Sequence, residues 1–361
     1  MSVTSQKARA LVLGERIAHP LLYVAAALPM LLLMLLAFAL MTAHPAKAAE
    51  DVTCNGRNIL TELKQENPKA YEAGMAIAEK VPNGNGIFWK IEKDGLAPSW
   101  LLGTMHVTDP RVTALPEAAR PAYKQAATVV IESTDVLDDQ KVAAAMMGRP
   151  DLTMIADGKT ISNLINADEV KKLDDGLKSR GIPLLAVARM QPWLISSFIA
   201  LPACETKRKN SGTVFLDKKL ALDAKAEGRE VLGLETMAEQ LQAMADLPIE
   251  FHIRGLIETL ALGDRMTDIF ETMTALYLEG KVGEIMPMIK AATPDTTGDG
   301  EGYTAFEERL IRDRNHVMAE RAAPILTKGN VFIAVGALHL PGEEGVVALL
   351  QKQGFKVTPV N

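Results

Sequence analysis

Three observations predict an α/β fold with a central mixed sheet, flanked by helices and carrying a helical insertion. Short aliphatic and β-branched runs alternate along the chain with stretches of helical apolar spacing. The first two runs, GIFWKIEKDG and WLLGTMH, are joined by a DG-containing turn and read as a hairpin. Four runs stop at an ionisable residue: His106, Glu132, Glu235 and His339.

The first fifty residues stand apart from this pattern. Lys7, Arg9 and Arg16 precede a stretch from Ile17 to Ala46 that contains no Asp, Glu, Lys or Arg, which is the composition of an export signal. Its apolar core is also long enough to span a bilayer. Both outcomes are open: removal after Ala48, following the small-x-small pattern Ala46-Lys47-Ala48, or retention of residues about 20–43 as an inner-membrane anchor. Residues 1–48 are thus a signal peptide or anchor, and 49–361 form one exported domain, periplasmic or extracellular, that meets the membrane only through its N-terminus.

Residues 1–48 carry four basic residues and one acidic, so their removal takes the formal charge from −6 to −9. A basic footprint for nucleic acid is therefore not expected. Cys54 and Cys204 are the two cysteines, and both lie beyond the export segment, where thiols meet an oxidising compartment. A Cys54–Cys204 disulfide is expected to pin the mature N-terminus to the middle of the chain.

From Cys54 to Val81 the apolar spacing is helical, and PNGNG breaks it before the hairpin. LPEAARPAYKQA reads as a helix despite Pro121, and ATVVIEST as a buried strand ending at Glu132. A helical middle region follows. VFLDKKLALDAKAEGRE is an amphipathic helix stopped by Gly228, and EVLGLET is a strand ending at Glu235. Residues from 236 to about 300 form the helical insertion, closing in the polar loop TPDTTGDGEG. A long helix through RDRNHVMAE ends at Gly329, and a buried strand, a glycine turn, a helix and a last strand complete the chain.

In open α/β sheets the functional crevice lies beyond the carboxyl ends of the strands. His106 and His339 each follow a glycine by three residues, in GTMH and GALH. These glycines are expected to let the chain leave its strand sharply and present the histidine at the rim. Imidazole and carboxylate suit Zn, Mn or Co, and the same set can supply a general base without metal. Arg314 and Asn315 sit on the helix that feeds the His339 strand and could lean over the same rim. No GxSxG elbow, Walker loop or GxGxxG occurs in residues 49–361.

WLLGTMHVTDPRV, VVIEST, VLGLET, RDRNHVMAE and FIAVGALHLPGEEGVVALLQKQGFKV resemble the TraB/GumN family, which includes the Tiki proteases, across about Cys54 to Val357. The resemblance implies an α/β fold shared with erythromycin-esterase-like and ChaN-like proteins, with His106, His339 and Glu132 in one site. It implies a hydrolase, with His106, Glu132 and His339 holding one divalent metal or positioning water directly, and with peptide as substrate. Arg314 is then expected to stabilise an oxyanion, Asn315 to orient substrate, and Glu235 to join the site. Two alternatives follow from the same relatives: a metal-free esterase-like hydrolase acting on a small molecule, and a non-catalytic protein that binds haem, metal or peptide.

Overall fold

A computed structural model describes residues 53–293 and 307–360, so the segment expected to direct export, and most of the polar loop, lie outside the described residues. Six strands form one sheet: β1 (Phe88–Glu92), β2 (Ser99–Thr104), β3 (Thr128–Ile131), β4 (Glu230–Gly233), β5 (Val331–Gly336) and β6 (Lys356–Pro359). Their order is β4-β3-β5-β2-β1-β6. The four strands β4, β3, β5 and β2 run parallel, whereas β1 is antiparallel to both β2 and β6. The hairpin and the mixed sheet expected from the sequence are present.

The parallel strands carry continuous apolar runs because both faces are covered. In β5, Phe332 and Ala334 pack with Tyr123, Leu220 and Ala224 on one face. Ile333 and Val335 pack with Met318, Leu326 and Val347 on the other. Alternation along a single strand thus fills two cores, one beneath the Leu216–Ala226 helix and one beneath the Asp313–Leu326 helix.

Local chemistry explains where the helices differ in detail from expectation. The first helical stretch divides into Leu60–Glu66 and Pro68–Ala78, with Asn67 capping the second by accepting from the Ala70 N–H. Pro121 is tolerated because it lies in the first turn of Arg120–Gln125, where its missing N–H costs no intrahelical bond. The chain before Asp313 makes a π-turn at Glu308–Arg312, and the α-helix proper begins only there. The insertion after β4 consists of Met237–Ala245, Ile249–Leu262, Arg265–Leu278 and Val282–Ala292. Among the described residues, no helix is long and apolar enough to cross a membrane.

The disulfide between Cys54 and Cys204 is formed, with a Cα–Cα separation of 5.5 Å. It closes a separation of 150 residues and ties the segment before the first helix to the Ala203–Asn210 helix.

Gly103 is needed for a reason other than the sharp exit expected from the sequence. It lies inside β2, and a Cβ on it would meet Leu340 Cδ1 at 2.6 Å and the Ala337 Cα at 3.1 Å. The absent side chain lets the two glycine-histidine segments touch, so the constraint is space and not backbone conformation. Gly103→Ala should therefore destabilise the fold by about 1–3 kcal/mol through overpacking. A thermal or urea midpoint equal to that of the unsubstituted protein would show that the two segments do not meet this closely.

Candidate active site

Because β2, β3, β4 and β5 are parallel, their carboxyl ends face one rim, and the sequence-expected residues follow those ends. Glu132 comes directly after β3, His106 and Glu235 two residues after β2 and β4, and His339 in the single 3-10 turn Ala337–His339 after β5.

Glu132 stands between the two histidines. Its Oε1 lies 3.8 Å from His339 Nε2 and 4.0 Å from His106 Nε2. The same oxygen accepts from the Gly336 N–H at 2.7 Å, and Oε2 accepts from Arg314 Nη2 at 2.7 Å. A Cβ on Gly336 would fall 3.1 Å from Glu132 Oε1 and 3.3 Å from the His339 ring, so this second glycine also serves close approach. Desolvation acts to raise the Glu132 pKa, but the neighbouring His339, the charges of His106 and Arg314, and the Gly336 bond hold it down at about 2. The carboxylate stays ionised.

Arg314 and Asn315 take positions that differ from the roles expected of them. The Arg314 Nε donates to Glu235 Oε1 at 3.0 Å, and Nη2 is shared between Glu235 and Glu132 at 2.7 Å each. With these donors spent on carboxylates, the guanidinium fixes Glu132 and Glu235 side by side. Asn315 is 1% exposed; its Oδ1 lies 2.7 Å from His339 Nδ1 and its Nδ2 donates to the Glu344 carbonyl. Both ends of the amide are thus occupied, and Asn315 orients His339 instead of a substrate.

That contact fixes the His339 tautomer. Since the Asn315 amide nitrogen is committed to Glu344, its oxygen must accept, and His339 Nδ1 carries the proton. The Nε2 lone pair therefore faces Glu132. Burial pushes the His339 pKa down to about 4, with Arg314 and His106 adding to the effect and Glu132 opposing it, so the ring is neutral.

His106 is in the opposite condition. Desolvation opposes its charge, but half of the side chain is open to solvent, and Asp217 and Glu132 raise its pKa to about 9. Its ring also leans on Phe215, 5.0 Å between centroids.

Two acidic residues near His106 escaped the sequence reading. Asp217 is buried in the first turn of the Leu216–Ala226 helix, its Oδ1 2.7 Å from the Thr104 hydroxyl and 3.7 Å from His106 Nε2. Glu205 is 2% exposed and grips the loop beyond His106, accepting from the Thr108 N–H at 2.7 Å and the Thr108 hydroxyl at 2.9 Å. Cys204 precedes Glu205, so the disulfide anchors the helix that holds this loop. An acidic residue in a first turn reads in sequence as a helix-dipole partner, which concealed Asp217.

Imidazole nitrogens and carboxylate oxygens suit a divalent cation of the Mn, Co or Zn kind, and the His339 tautomer is that of a ligating histidine held by an outer hydrogen bond. Asp217 lies with its Oδ1 3.7 Å from His106 Nε2, and its other oxygen, Oδ2, is buried with no hydrogen-bond partner. The donor chemistry fits a metal. The spacing is looser: among the described residues no group of three or more His, Cys, Asp or Glu is arranged closely enough to hold an ion, and the separations of 3.7–4.0 Å exceed the roughly 3.0–3.4 Å between ligands that share a metal at about 2.1 Å.

Loss of either part of the brace behind His106 should appear first in the loop. Glu205→Gln, and separately Cys54→Ser with Cys204→Ser, should speed amide exchange over residues 105–109 about tenfold while β5 stays protected. Exchange at wild-type rates in that segment in both variants would remove the brace from the account.

A profile of the TraB/PrgY/gumN family matches residues 87–359. The chain is similar to metalloprotease TIKI2 of Danio rerio, 24% identical over 324 residues that cover 76% of this chain and 60% of that protein. It is 23% identical to metalloprotease TIKI1 of Danio rerio, covering 83% of this chain and 68% of that protein. Against metalloprotease TIKI1 of Homo sapiens it is 23% identical, covering 76% and 61%. The chain spans about three fifths to two thirds of the length of these curated relatives. No solved structure matches it.

Proposed function

We propose, from the premise that this chain belongs to the TraB/PrgY/gumN family, that it is an exported hydrolase that cleaves peptide bonds with the aid of a divalent metal. The observation that carries this reading is the Asn315–His339 contact, which leaves the Nε2 lone pair directed at the Glu132 carboxylate. The metalloprotease names of its relatives support the metal.

His106, Glu132 and His339 would hold the cation, which when bound would polarise a carbonyl and lower the pKa of water. The remaining chemistry falls to the chain itself. Glu132, kept ionised by Arg314 and the Gly336 N–H, cannot drift from the two rings. Asn315 keeps His339 from turning. Glu235 takes half of the guanidinium and so sets where Arg314 can reach. His106, half exposed, is the group on the solvent side that a substrate meets first. Export, with either a cleaved leader or a single N-terminal anchor, belongs to the same proposal, and substrate is then an extracytoplasmic polypeptide.

The loose spacing favours a second reading, metal-free hydrolysis in which His339 Nε2 takes the proton of water and His106 returns one to the leaving group. Peptide-library cleavage by the purified full-length chain, with Mn, Co or Zn supplied separately, tests both. Metal-dependent cleavage that falls at least about 100-fold in His106→Ala, Glu132→Gln and His339→Ala is the expected result. Cleavage that survives chelation but is lost in His339→Ala would select the metal-free route. Metal or haem bound tightly with no turnover of peptide or ester would replace the hydrolase with a binding protein.

A further inference from the structure

Gln240 is the polar side chain of this rim that the reading above leaves without a task. It lies on the Met237–Ala245 helix, which starts two residues after Glu235. Its Nε2 donates to Glu132 Oε2 at 3.3 Å and to Glu235 Oε2 at 3.4 Å, the same two oxygens that Arg314 Nη2 bridges. An amide turned the other way would set its oxygen against two anionic oxygens, so the nitrogen must face them and Oε1 must face away. Among the described residues none donates to that oxygen, and the side chain is only half-buried.

The helix has little freedom to shift the amide. Thr236 and Glu239 close a capping box at its first turn, and the Met237 N–H donates to Asp135 Oδ2, beyond β3. Arg321 bonds both Glu239 and the Leu234 carbonyl, and it belongs to the Asp313–Leu326 helix that also carries Arg314. Gln240 is thus held in place before any ligand arrives, which spares the entropy of ordering it on binding.

Its place relative to the histidines follows from Glu132. One carboxylate oxygen, Oε1, faces His106 and His339, and the other, Oε2, faces Gln240. No more than about three residues of extended chain, at roughly 3.3–3.6 Å each, therefore separate the amide from His106. Asn315 Oδ1, the neutral acceptor next to His339, is already taken by that ring. Gln240 Oε1 is left as an uncharged acceptor, matched to an uncharged donor such as the N–H of a peptide bond; an ester oxygen at that place has no proton to give it.

We propose that Gln240 binds substrate, its Oε1 accepting a backbone N–H of the polypeptide within about three residues of the bond that is cleaved. This inference rests on the peptide-hydrolase reading above and adds to it a residue that selects amide over ester chains.

Peptides methylated at one backbone nitrogen at a time, on either side of the cleaved bond but not at that bond, test it with the full-length chain. In the unsubstituted protein one such position should raise KM by about 5–10-fold. In Gln240→Met that penalty should vanish, while KM for the parent peptide rises by a similar factor. Both peptides meet the same preparation, so a partly unfolded variant does not mimic this result. Gln240→Glu, which keeps an acceptor there, should keep part of the penalty. Equal N-methyl penalties in the unsubstituted protein and in Gln240→Met, or a loss confined to kcat, would overturn the role in binding and leave the peptide-hydrolase reading standing. Failure of the unsubstituted chain to cleave any peptide would overturn both.

Discussion

The contact on which the rest of the site depends is the grip of two elements on the Glu132 carboxylate. One oxygen takes the backbone N–H of Gly336 and the other takes Arg314. The first bond joins the end of β3 to the end of β5, and the second joins the sheet to the helix packed over it. A carboxylate so fixed sets the distance to His339 and His106 together, and it stays charged despite its burial. Remove the Gly336 N–H from reach, by any side chain that pushed the backbone away, and the two histidine segments would lose their common reference.

The parallel sheet makes that grip available. Register places Ile131 opposite Ala334 and Gly233, and Thr104 opposite Gly336, so the residues that follow each strand emerge side by side. The core on each face holds the strands rigid, while the polar groups are confined to the rim. Behind His106 a different device operates. There the covalent tie from Cys54 reaches Cys204, and Glu205 passes the constraint to Thr108. The solvent-side histidine is thus the one held by a brace, and the buried histidine is the one held by packing and Asn315.

Much of this was legible in the sequence, for physical reasons that can be stated. Buried parallel strands have unbroken aliphatic runs, so VVI and VFIAV announced themselves, and the ionisable residue stopping each run marked the rim. The glycines were noticed for the wrong reason: a glycine required by a neighbour's Cα and one required by a turn look alike until Ala337 is seen beside Gly103. Asn315 was placed in the site but given to substrate, because the Glu344 carbonyl that occupies its amide lies in a loop with no sequence signature. Asp217 and Glu205 were missed because each acts on a partner about a hundred residues away, and their local spacing reads as ordinary helix surface. Tertiary pairing, and not propensity, decides such residues.

The proposed function requires His106, Glu132 and His339 to form one reactive centre around a single divalent ion. The measurement that tests it most directly is anomalous diffraction from crystals grown with Mn or Co. One peak is expected within bonding distance of His339 Nε2, His106 and the Glu132 carboxylate, with Asn315 still on His339 Nδ1. A peak elsewhere with none at this rim, or His339 turned so that Nδ1 faces Glu132, would contradict it.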